Sequence, residues 1–378
     1  MNIKYIQMKT FSAFLTIVLI AGLTWSCSVQ SPDKYKPDNK FLSYSGRIDK
    51  ISPDEVVLIG SASSVSMLFE GDTCVLYLKN DTPNGLQNYF SIELDGEDLG
   101  RTRIDGDSLF TIPVDITFQH DRHQLTLYKS TEAANGNLVF EGVLCDKLVE
   151  LPPMPTKSIE FIGNSITCGM GNDTTSLPCH ADQWYDQHNA YWSYGSIVAR
   201  TLKLNYMLSS VSGIGIYRNW NVEDGPTMPM VYENRYLNTD STKKWDFSQF
   251  TPEIVSICLG TNDFSDGDGV HERHPFNAAR FTDEYIRFVE KIYSHYPSTQ
   301  VALLSSPMLK GPKDSLLVSC LNEVKAHFDG KDYKPIKIFQ FEGIEPHGCD
   351  YHPDINDHMM MADQLIPFFQ QFIDESQN

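Results

Sequence analysis

The first part of the chain, from about Phe41 to Leu151, alternates short hydrophobic runs with polar turns. The runs are rich in β-branched and aromatic residues: VVLIG, SVSMLFEG, TCVLYLK, YFSIELDG, SLFTIPV, HQLTLYK and LVFEGVLC. They are separated by turn-forming pairs such as Asn84-Gly85, Asp95-Gly96 and Asn135-Gly136. No stretch in this part carries a helical period. Regular short strands with polar punctuation predict an all-β antiparallel sandwich over residues 41–150, of which the jelly roll is one form.

A proline-rich segment, LPPMPTK at residues 151–157, predicts a linker, and the pattern changes after it. Near-continuous apolar runs follow, as expected of parallel strands buried on both faces: SIEFIG, NYMLSS, EIVSICLG, QVALLSS and IKIFQF. Helical periods lie between or after them, including NAARFTDEYIRFVEKIYSHY and a C-terminal stretch in which Pro367 predicts a kink or break. The alternation predicts a three-layer, flavodoxin-like α/β domain with a parallel sheet over residues 158–378.

The N-terminal residues have the pattern of an export signal. A weakly basic start and a short apolar run precede Cys27, which predicts a signal peptide over residues 1–26. LTWSC, ending at Cys27, resembles a loose bacterial lipobox, in which the cysteine is lipidated after cleavage. An ordinary signal peptide with an incidental cysteine is the alternative. Residues 27–40 are polar and predict a tether. We therefore expect an exported lipoprotein, periplasmic or on the cell surface, held at the membrane by its lipid anchor only.

The charge of the chain restricts its partners. The formal net charge is −19 at pH 7. Such acidity argues against nucleic acid and against anionic membrane surfaces as partners. It is compatible with a neutral substrate such as a sugar polymer.

The cysteines form no metal-binding pattern, because no C-x-x-C motif occurs. Seven cysteines remain besides Cys27, so they cannot all be paired. Cys168 and Cys179 flank a short loop and are expected to be able to bridge in an oxidising compartment. The alternative is that most cysteines are small buried hydrophobic residues. We expect at most one or two disulfides.

Chemically useful residues follow several strands of the predicted parallel sheet. Ser165 follows the first strand in IEFIGNSITCGMGN, Gly213 follows the second in SSVSGIG, and Asn262 follows the third in LGTNDFS. His352 lies in GCDYHPDINDH, between the last strand and the last helix. The carboxyl ends of parallel strands meet at one sheet edge, where ligands bind. A lone serine such as Ser165, or Thr167 nearby, more often caps a helix, but the other strand ends favour a nucleophile, anion donors and a base.

The motifs GNSIT, SVSGIG, GTND and DYHP resemble the four blocks of the SGNH hydrolase superfamily, with Asn164 in place of the usual aspartate. HQLTLYKSTEAANG, GIYRNW, WDFSQF, GTNDFS and GCDYHP resemble recurring segments of carbohydrate esterase family 2, which joins a jelly roll to an SGNH domain. The resemblance covers nearly all of the chain that follows the export signal. It implies a serine esterase that removes O-acetyl groups from polysaccharides such as xylan or mannan, without a cofactor or metal.

The same resemblance assigns roles to individual residues. Ser165 would be the nucleophile and His352 the base. The oxyanion donors would be the backbone N–H groups of Ser165 and Gly213 and the side-chain amide of Asn262. The superfamily usually spaces its acid as Asp-x-x-His, whereas Asp350 precedes His352 by two residues, as in carbohydrate esterase family 2. Either the Asp350 carboxylate or a backbone carbonyl is therefore expected to orient the imidazole.

A long loop, residues 217–250, carries aromatic residues that are expected either to stack on sugars or to pack the loop. The candidates for stacking are Tyr217, Trp220 and Tyr232, together with Tyr351 beside the histidine. His271 and His274 are too few for a metal site. Two other functions stay open: a glycan-binding protein with a decayed catalytic domain, and an esterase or lipase for longer acyl chains.

Overall fold

The computed structural model describes residues 32–117 and 120–375. The predicted signal peptide and Cys27 lie outside the described residues. Within the described ranges there are fifteen β-strands and six α-helices. Residues from Pro32 onwards form one compact unit, which contains both of the patterns seen in the sequence.

Ten antiparallel strands build the N-terminal part. They are β1 (Asp33–Tyr35), β2 (Ser43–Ser45), β3 (Ile48–Ser52), β4 (Glu55–Leu58), β5 (Ser64–Asp81), β6 (Asn88–Leu94), β7 (Glu97–Ile104), β8 (Leu109–Pro113), β9 (Arg122–Lys129) and β10 (Asn137–Val149). The order is β3-β4-β10-β5-β9-β6-β7, with β1 beside β10, and β2 and β8 beside β5. The first half of β5 pairs with β9 and its second half with β8, so one long strand serves both parts of the sandwich.

Part of the segment predicted as a tether, residues 27–40, forms a strand instead. Asp33–Tyr35 forms β1 and pairs antiparallel with Val143–Cys145 of β10. The tether prediction is therefore wrong for these three residues. The polar sequence of this strand gave no hydrophobic pattern from which to predict it. Pairing with a neighbouring strand uses backbone groups and does not require such a pattern.

The C-terminal part is built on a five-stranded parallel sheet. Its strands are β11 (Ser158–Gly163), β12 (Asn205–Ser210), β13 (Ile254–Cys258), β14 (Gln300–Leu304) and β15 (Lys337–Phe339). They lie in the order β12-β11-β13-β14-β15, and every neighbouring pair is parallel. Each residue of β11 is buried, as is expected of a central strand covered on both faces.

Helices cover both faces of this sheet. They are α1 (Ser165–Cys168), α2 (Tyr194–Thr201), α3 (Met228–Val231), α4 (Ala278–His295), α5 (Pro312–Phe328) and α6 (Ile355–Glu375). Helices α4 and α5 pack into one hydrophobic core, and α2 and α6 pack into the other. The predicted fold class, an antiparallel β domain followed by a three-layer α/β domain, is confirmed. Pro367 does not end the last helix, because α6 continues through it.

In the described ranges no helix is both long and apolar enough to cross a bilayer.

A buried arginine joins the two parts. Arg47, beside β3, is fully buried and donates hydrogen bonds to Ser209 Oγ (3.1 Å), Asn234 O (3.0 Å) and Tyr232 O (2.9 Å). Its guanidinium lies 4.0 Å from the carboxylate of Glu160 on β11, which is also fully buried. Ser209 and Tyr232 donate to the two carboxylate oxygens. Arg47 thus supplies a counter-charge to the Glu160 carboxylate, which is buried inside the parallel sheet and fully hydrogen-bonded.

Removing the arginine is expected to destabilise the protein. Arg47→Met leaves Glu160 buried without its counter-charge, which should cost about 3–5 kcal/mol of unfolding free energy. Urea denaturation followed by far-UV circular dichroism measures the loss. The double variant Arg47→Met/Glu160→Gln removes the orphaned charge and should lose less than Arg47→Met alone. A single variant within about 1 kcal/mol of wild type would show that the pair is dispensable.

Candidate active site

Three neighbouring strands deliver the candidate residues to one edge of the parallel sheet. Gly163, the last residue of β11, lies in register with Ser210 at the end of β12 and with Cys258 at the end of β13. Ser165, Gly213 and Asn262 follow these three strand ends at the same level of the sheet. The expectation that they emerge together therefore follows from the register of the sheet.

The serine hydroxyl is not used to cap the helix that follows β11. Asn164 is the N-cap of α1, and its side-chain oxygen accepts a hydrogen bond from the backbone N–H of Ile166 at 3.1 Å. Capping is therefore done by Asn164, which answers the alternative that Ser165 or Thr167 caps this helix. The turn also needs Gly163, because a Cβ atom there would lie 2.0 Å from Thr167 Oγ1.

The Ser165 hydroxyl is hydrogen-bonded to His352. Ser165 Oγ and His352 Nε2 are 2.7 Å apart, and both residues are buried. His352 Nδ1 lies 2.9 Å from the backbone carbonyl of Asp350. A carbonyl only accepts, so Nδ1 carries the proton and Nε2 is left to accept the serine proton. Burial lowers the pKa of His352, which keeps the imidazole neutral near neutral pH.

The carboxylate of Asp350 does not orient the histidine. It is half-exposed and lies 3.5 Å from His180 Nε2, while the backbone carbonyl of the same residue accepts the hydrogen bond from His352 Nδ1–H. Asp350 (φ 52°) and Tyr351 (φ 61°) both adopt left-handed backbone conformations. This tight turn brings the carbonyl of Asp350 to the ring of His352. Of the two alternatives given for the D-Y-H spacing, the structure shows orientation of the imidazole by the backbone carbonyl.

A disulfide fastens the loop that carries His352. Cys349, three positions before the histidine, is bonded to Cys179. The expected Cys168–Cys179 bridge is therefore wrong: Cys168 is a buried free thiol at the end of α1. Closeness in sequence misled that prediction, since the actual partners are 170 positions apart. A cross-link that closes so long a loop restricts the unfolded chain strongly.

The turn after β12 requires a glycine at position 213. Gly213 has φ +77°, a left-handed conformation, and a Cβ atom there would lie 2.7 Å from Trp220 Cδ1. The carbonyl of Gly213 accepts from the backbone N–H of Trp220 at 3.0 Å. Glycine is thus required both by the backbone conformation and by the indole packed over it.

Asn262 is held against the same turn. Its side-chain amide donates to the carbonyl of Ile214 at 2.7 Å, and the amide has a second N–H for another acceptor. The neighbouring Asp263 is fully buried and accepts from the backbone N–H groups of Ile216 and Tyr217 at 2.9–3.1 Å. Burial raises the pKa of Asp263 to about 6. Asp263 was not predicted as a site residue, although its place directly after Asn262 in the loop that follows β13 was a signal for it.

Only two of the four aromatic candidates for sugar stacking are exposed. Tyr232 is fully buried and donates to Glu160, and Tyr217 is buried with its hydroxyl accepting from the backbone N–H of Asn277. Of the two alternatives for these residues, packing is the one observed and stacking is excluded, because the long loop folds back onto the α/β core. Trp220 (44% exposed) and Tyr351 (86% exposed) remain available to a ligand.

A cleft of about 730 Å³ begins at this edge. It is bordered by Gly213 and Trp220, by sandwich residues 81–83, 133–134 and 136–137, and by loop residues 236–239. His271 and His274, too few for a metal site, are hydrogen-bonded to the carboxylates of Asp268 and Glu223.

Fold and site together define a hydrolase of the SGNH class, with serine, glycine, asparagine and histidine at the carboxyl edge of a parallel sheet. Residues 44–155 match the model of the carbohydrate esterase 2 N-terminal domain, and residues 161–329 match the GDSL-like lipase/acylhydrolase family. A solved structure of an active-site mutant of a family two carbohydrate esterase from Clostridium thermocellum has a similar fold, with a TM-score of 0.77. The two sequences are 30% identical, and the match covers 88% of this chain and 98% of that one. The chain belongs to carbohydrate esterase family 2 and is a carboxylic ester hydrolase, as the resemblance implied.

Two curated relatives are similar over most of the chain. One is the cellulase/esterase CelE of Acetivibrio thermocellus, 31% identical over 89% of this chain. The match spans only 40% of the length of CelE. The other is an acetylxylan esterase/glucomannan deacetylase of Cellvibrio japonicus, 27% identical over 94% of this chain and 97% of the relative.

Changing the side chain of Asp350 should leave the histidine in place. Asp350→Asn keeps the backbone carbonyl that accepts from His352, so turnover of an aryl acetate should fall by less than about tenfold, or ~1.4 kcal/mol in the barrier. Steady-state kinetics measure this, with His352→Asn as the matched variant that should lose orders of magnitude. A loss in Asp350→Asn as large as that in His352→Asn would mean that the carboxylate takes part after all.

Proposed function

We propose that this protein is a serine esterase that removes O-acetyl groups from polysaccharides of the xylan or mannan type through an acetyl-enzyme intermediate. The observation that carries the proposal is the 2.7 Å hydrogen bond from Ser165 Oγ to His352 Nε2, with the imidazole held in the accepting tautomer by the carbonyl of Asp350. A serine hydroxyl becomes a competent nucleophile when a neighbouring base takes its proton.

In the first half-reaction, Ser165 Oγ forms a bond to the acetyl carbonyl carbon while its proton passes to His352 Nε2. The negative charge that develops on the carbonyl oxygen is received by the backbone N–H groups of Ser165 and Gly213 and by the amide of Asn262. Each such donor is worth about 3 kcal/mol of transition-state stabilisation. The bond to the sugar oxygen then breaks, and this oxygen leaves with the proton from His352.

In the second half-reaction, water attacks the acetyl carbon of the acetyl-enzyme, and its proton passes to His352 Nε2. The same donors stabilise the second oxyanion, and Ser165 leaves with the proton as acetate is released. During each step the protonated imidazole keeps its Nδ1–H bond to the carbonyl of Asp350. A serine–histidine dyad with a backbone acceptor is therefore sufficient for both proton transfers.

A glycan substrate suits the surroundings of Ser165. Trp220 and Tyr351 are exposed aromatic rings next to the turn of Gly213 and next to His352, where they can stack on sugar rings. The adjoining cleft has polar borders, including Asn219, Asn221 and Asn238. These side-chain amides, beside the exposed ring of Trp220, can hydrogen-bond the hydroxyl groups of a glycan. The similarity to a relative named acetylxylan esterase/glucomannan deacetylase supports the same substrate class.

The two other functions considered for the chain are less well supported. The hydrogen bond between Ser165 and a buried histidine with a lowered pKa is the arrangement of a working nucleophile and base, which counts against a decayed catalytic domain. A comparison of acetyl esters with longer-chain esters separates a deacetylase from a lipase. We expect the highest kcat/KM for acetyl esters, and acetate release from acetylated xylan or glucomannan.

The serine is expected to be needed for catalysis and not for stability. Ser165→Ala should abolish acetate release with little change in melting temperature, leaving only a small residual rate from the remaining site. A serine-directed fluorophosphonate should label wild type once per chain and should not label this variant. Ser315→Ala, at an exposed helix position, is the matched control and should behave as wild type. Full activity in Ser165→Ala, or labelling at another serine, would overturn the mechanism.

We also propose that the protein is exported and anchored to a membrane through a lipid on Cys27, on the pattern of residues 1–27. Expressed in a bacterial host with lipoprotein processing, wild type should sediment with membranes. Cys27→Ala should move the esterase activity to the soluble fraction. Wild-type protein that is already soluble would contradict the anchor while leaving the esterase assignment untouched.

A further inference from the structure

A buried carboxylate from the β-sandwich reaches the candidate active site. Glu132 lies just after β9, and its side chain is completely buried. Its carboxylate oxygen Oε2 accepts a hydrogen bond from the backbone N–H of Ser212 at 2.7 Å. The same oxygen accepts from the thiol of Cys168, also at 2.7 Å. One side chain of the sandwich therefore contacts two separate segments of the α/β domain.

Both of these segments carry parts of the catalytic apparatus. Cys168 is the last residue of α1, the one-turn helix that begins with Ser165. Ser212 immediately precedes Gly213, whose backbone N–H is a proposed oxyanion donor. Glu132 Oε2 thus links the helix of the nucleophile to the turn of the oxyanion donor through a single atom. The relative position of these two segments decides whether the donor points at the oxyanion formed on Ser165.

We propose that Glu132 is a positioning residue for ester hydrolysis, through which the β-sandwich sets the geometry of the oxyanion site. This inference rests on the proposed function, since it assigns Glu132 an effect on the same reaction. The sandwich would then influence the reaction by positioning groups of the α/β domain, which contains the serine and the histidine.

The surroundings of Glu132 are unfavourable for a carboxylate that served packing alone. Burial raises the pKa of Glu132, and its other oxygen, Oε1, has no hydrogen-bond partner among the described residues. The nearby Lys129 is buried as well, and its ammonium group donates to the backbone carbonyls of Thr131 and Glu132. Burial lowers the pKa of Lys129 to about 7. An apolar side chain of the same size would avoid the desolvation cost of the carboxylate. It would, however, leave the Ser212 N–H without an acceptor and the buried Lys129 without its nearby counter-charge.

Catalysis should be sensitive to this contact because oxyanion donors act over short distances. A misplacement of about 1 Å, caused by a substitution away from the reacting atoms, can cost about 10²-fold in rate. The Ser212–Gly213 turn is adjacent to the oxyanion, so the loss of its anchor should lower kcat. The KM for a small aryl acetate should change little, because Glu132 touches no substrate.

Four variants separate positioning from packing. Glu132→Met fills the space without an acceptor, and Glu132→Asp keeps the carboxylate but withdraws it by one methylene. Both should lower kcat by about tenfold to a hundredfold at unchanged KM. Glu132→Gln retains an acceptor oxygen for Ser212 and should stay within about threefold of wild type. Leu76→Ala, in the sandwich core away from the site, should lower the melting temperature without changing kcat at low temperature.

A second measurement reports on the oxyanion site itself. A trifluoromethyl ketone adds to the nucleophilic serine and places its oxyanion among the donors, so its affinity should fall in Glu132→Met by the same factor as kcat/KM. A wild-type kcat and inhibitor affinity in both Glu132→Met and Glu132→Asp would overturn the inference. So would a loss in Glu132→Gln equal to that in Glu132→Met. A wild-type protein that released no acetate would contradict the proposed function. A wild-type protein that is active, with Glu132 variants equal to it, would contradict only the role of Glu132.

Discussion

The proposed active site depends on one hydrogen bond, between Ser165 Oγ and His352 Nε2, which joins residues 187 positions apart. Both partners sit on short segments with little intrinsic rigidity: a one-turn helix, and a turn with left-handed residues. The surrounding structure therefore has to hold them. Asn164 caps the helix of the serine, the carbonyl of Asp350 fixes the imidazole, and the Cys179–Cys349 disulfide fastens the histidine loop. These contacts explain how a dyad without a carboxylate can be oriented for proton transfer.

The β-sandwich contributes buried polar contacts to this arrangement and is more than a covering layer. Arg47 supplies the counter-charge to Glu160 inside the parallel sheet, and Glu132 accepts from the turn before Gly213. Buried polar contacts of this kind cost desolvation, but they are satisfied in only one relative placement of the two parts. A purely apolar contact tolerates small shifts, whereas these hydrogen bonds do not. The position of the Ser212–Gly213 turn, and with it the proposed oxyanion site, is thus tied to the packing of the sandwich.

Much of the fold and of the site was predictable from the sequence, because the information was local. Apolar runs and helical periods identify the parallel sheet, and residues that follow strand ends must meet at one edge. What could not be predicted depended on distant contacts. The sequence left open whether Tyr217 and Tyr232 stack on sugars or pack the loop, and they pack into the core. Cys179 pairs with a cysteine 170 positions away. The orientation of His352 by a backbone carbonyl depends on a turn whose shape no residue pattern specifies.

The central claim is that Ser165 carries the acetyl group between the sugar and water. Rapid acid quenching during turnover of an aryl acetate, followed by peptide mass spectrometry, tests it most directly. The account predicts that the peptide containing Ser165 gains the mass of one acetyl group, and that this adduct forms and decays fast enough to support turnover. Steady acetate release with no acetylated Ser165, or with the acetyl group on a different residue, would contradict it.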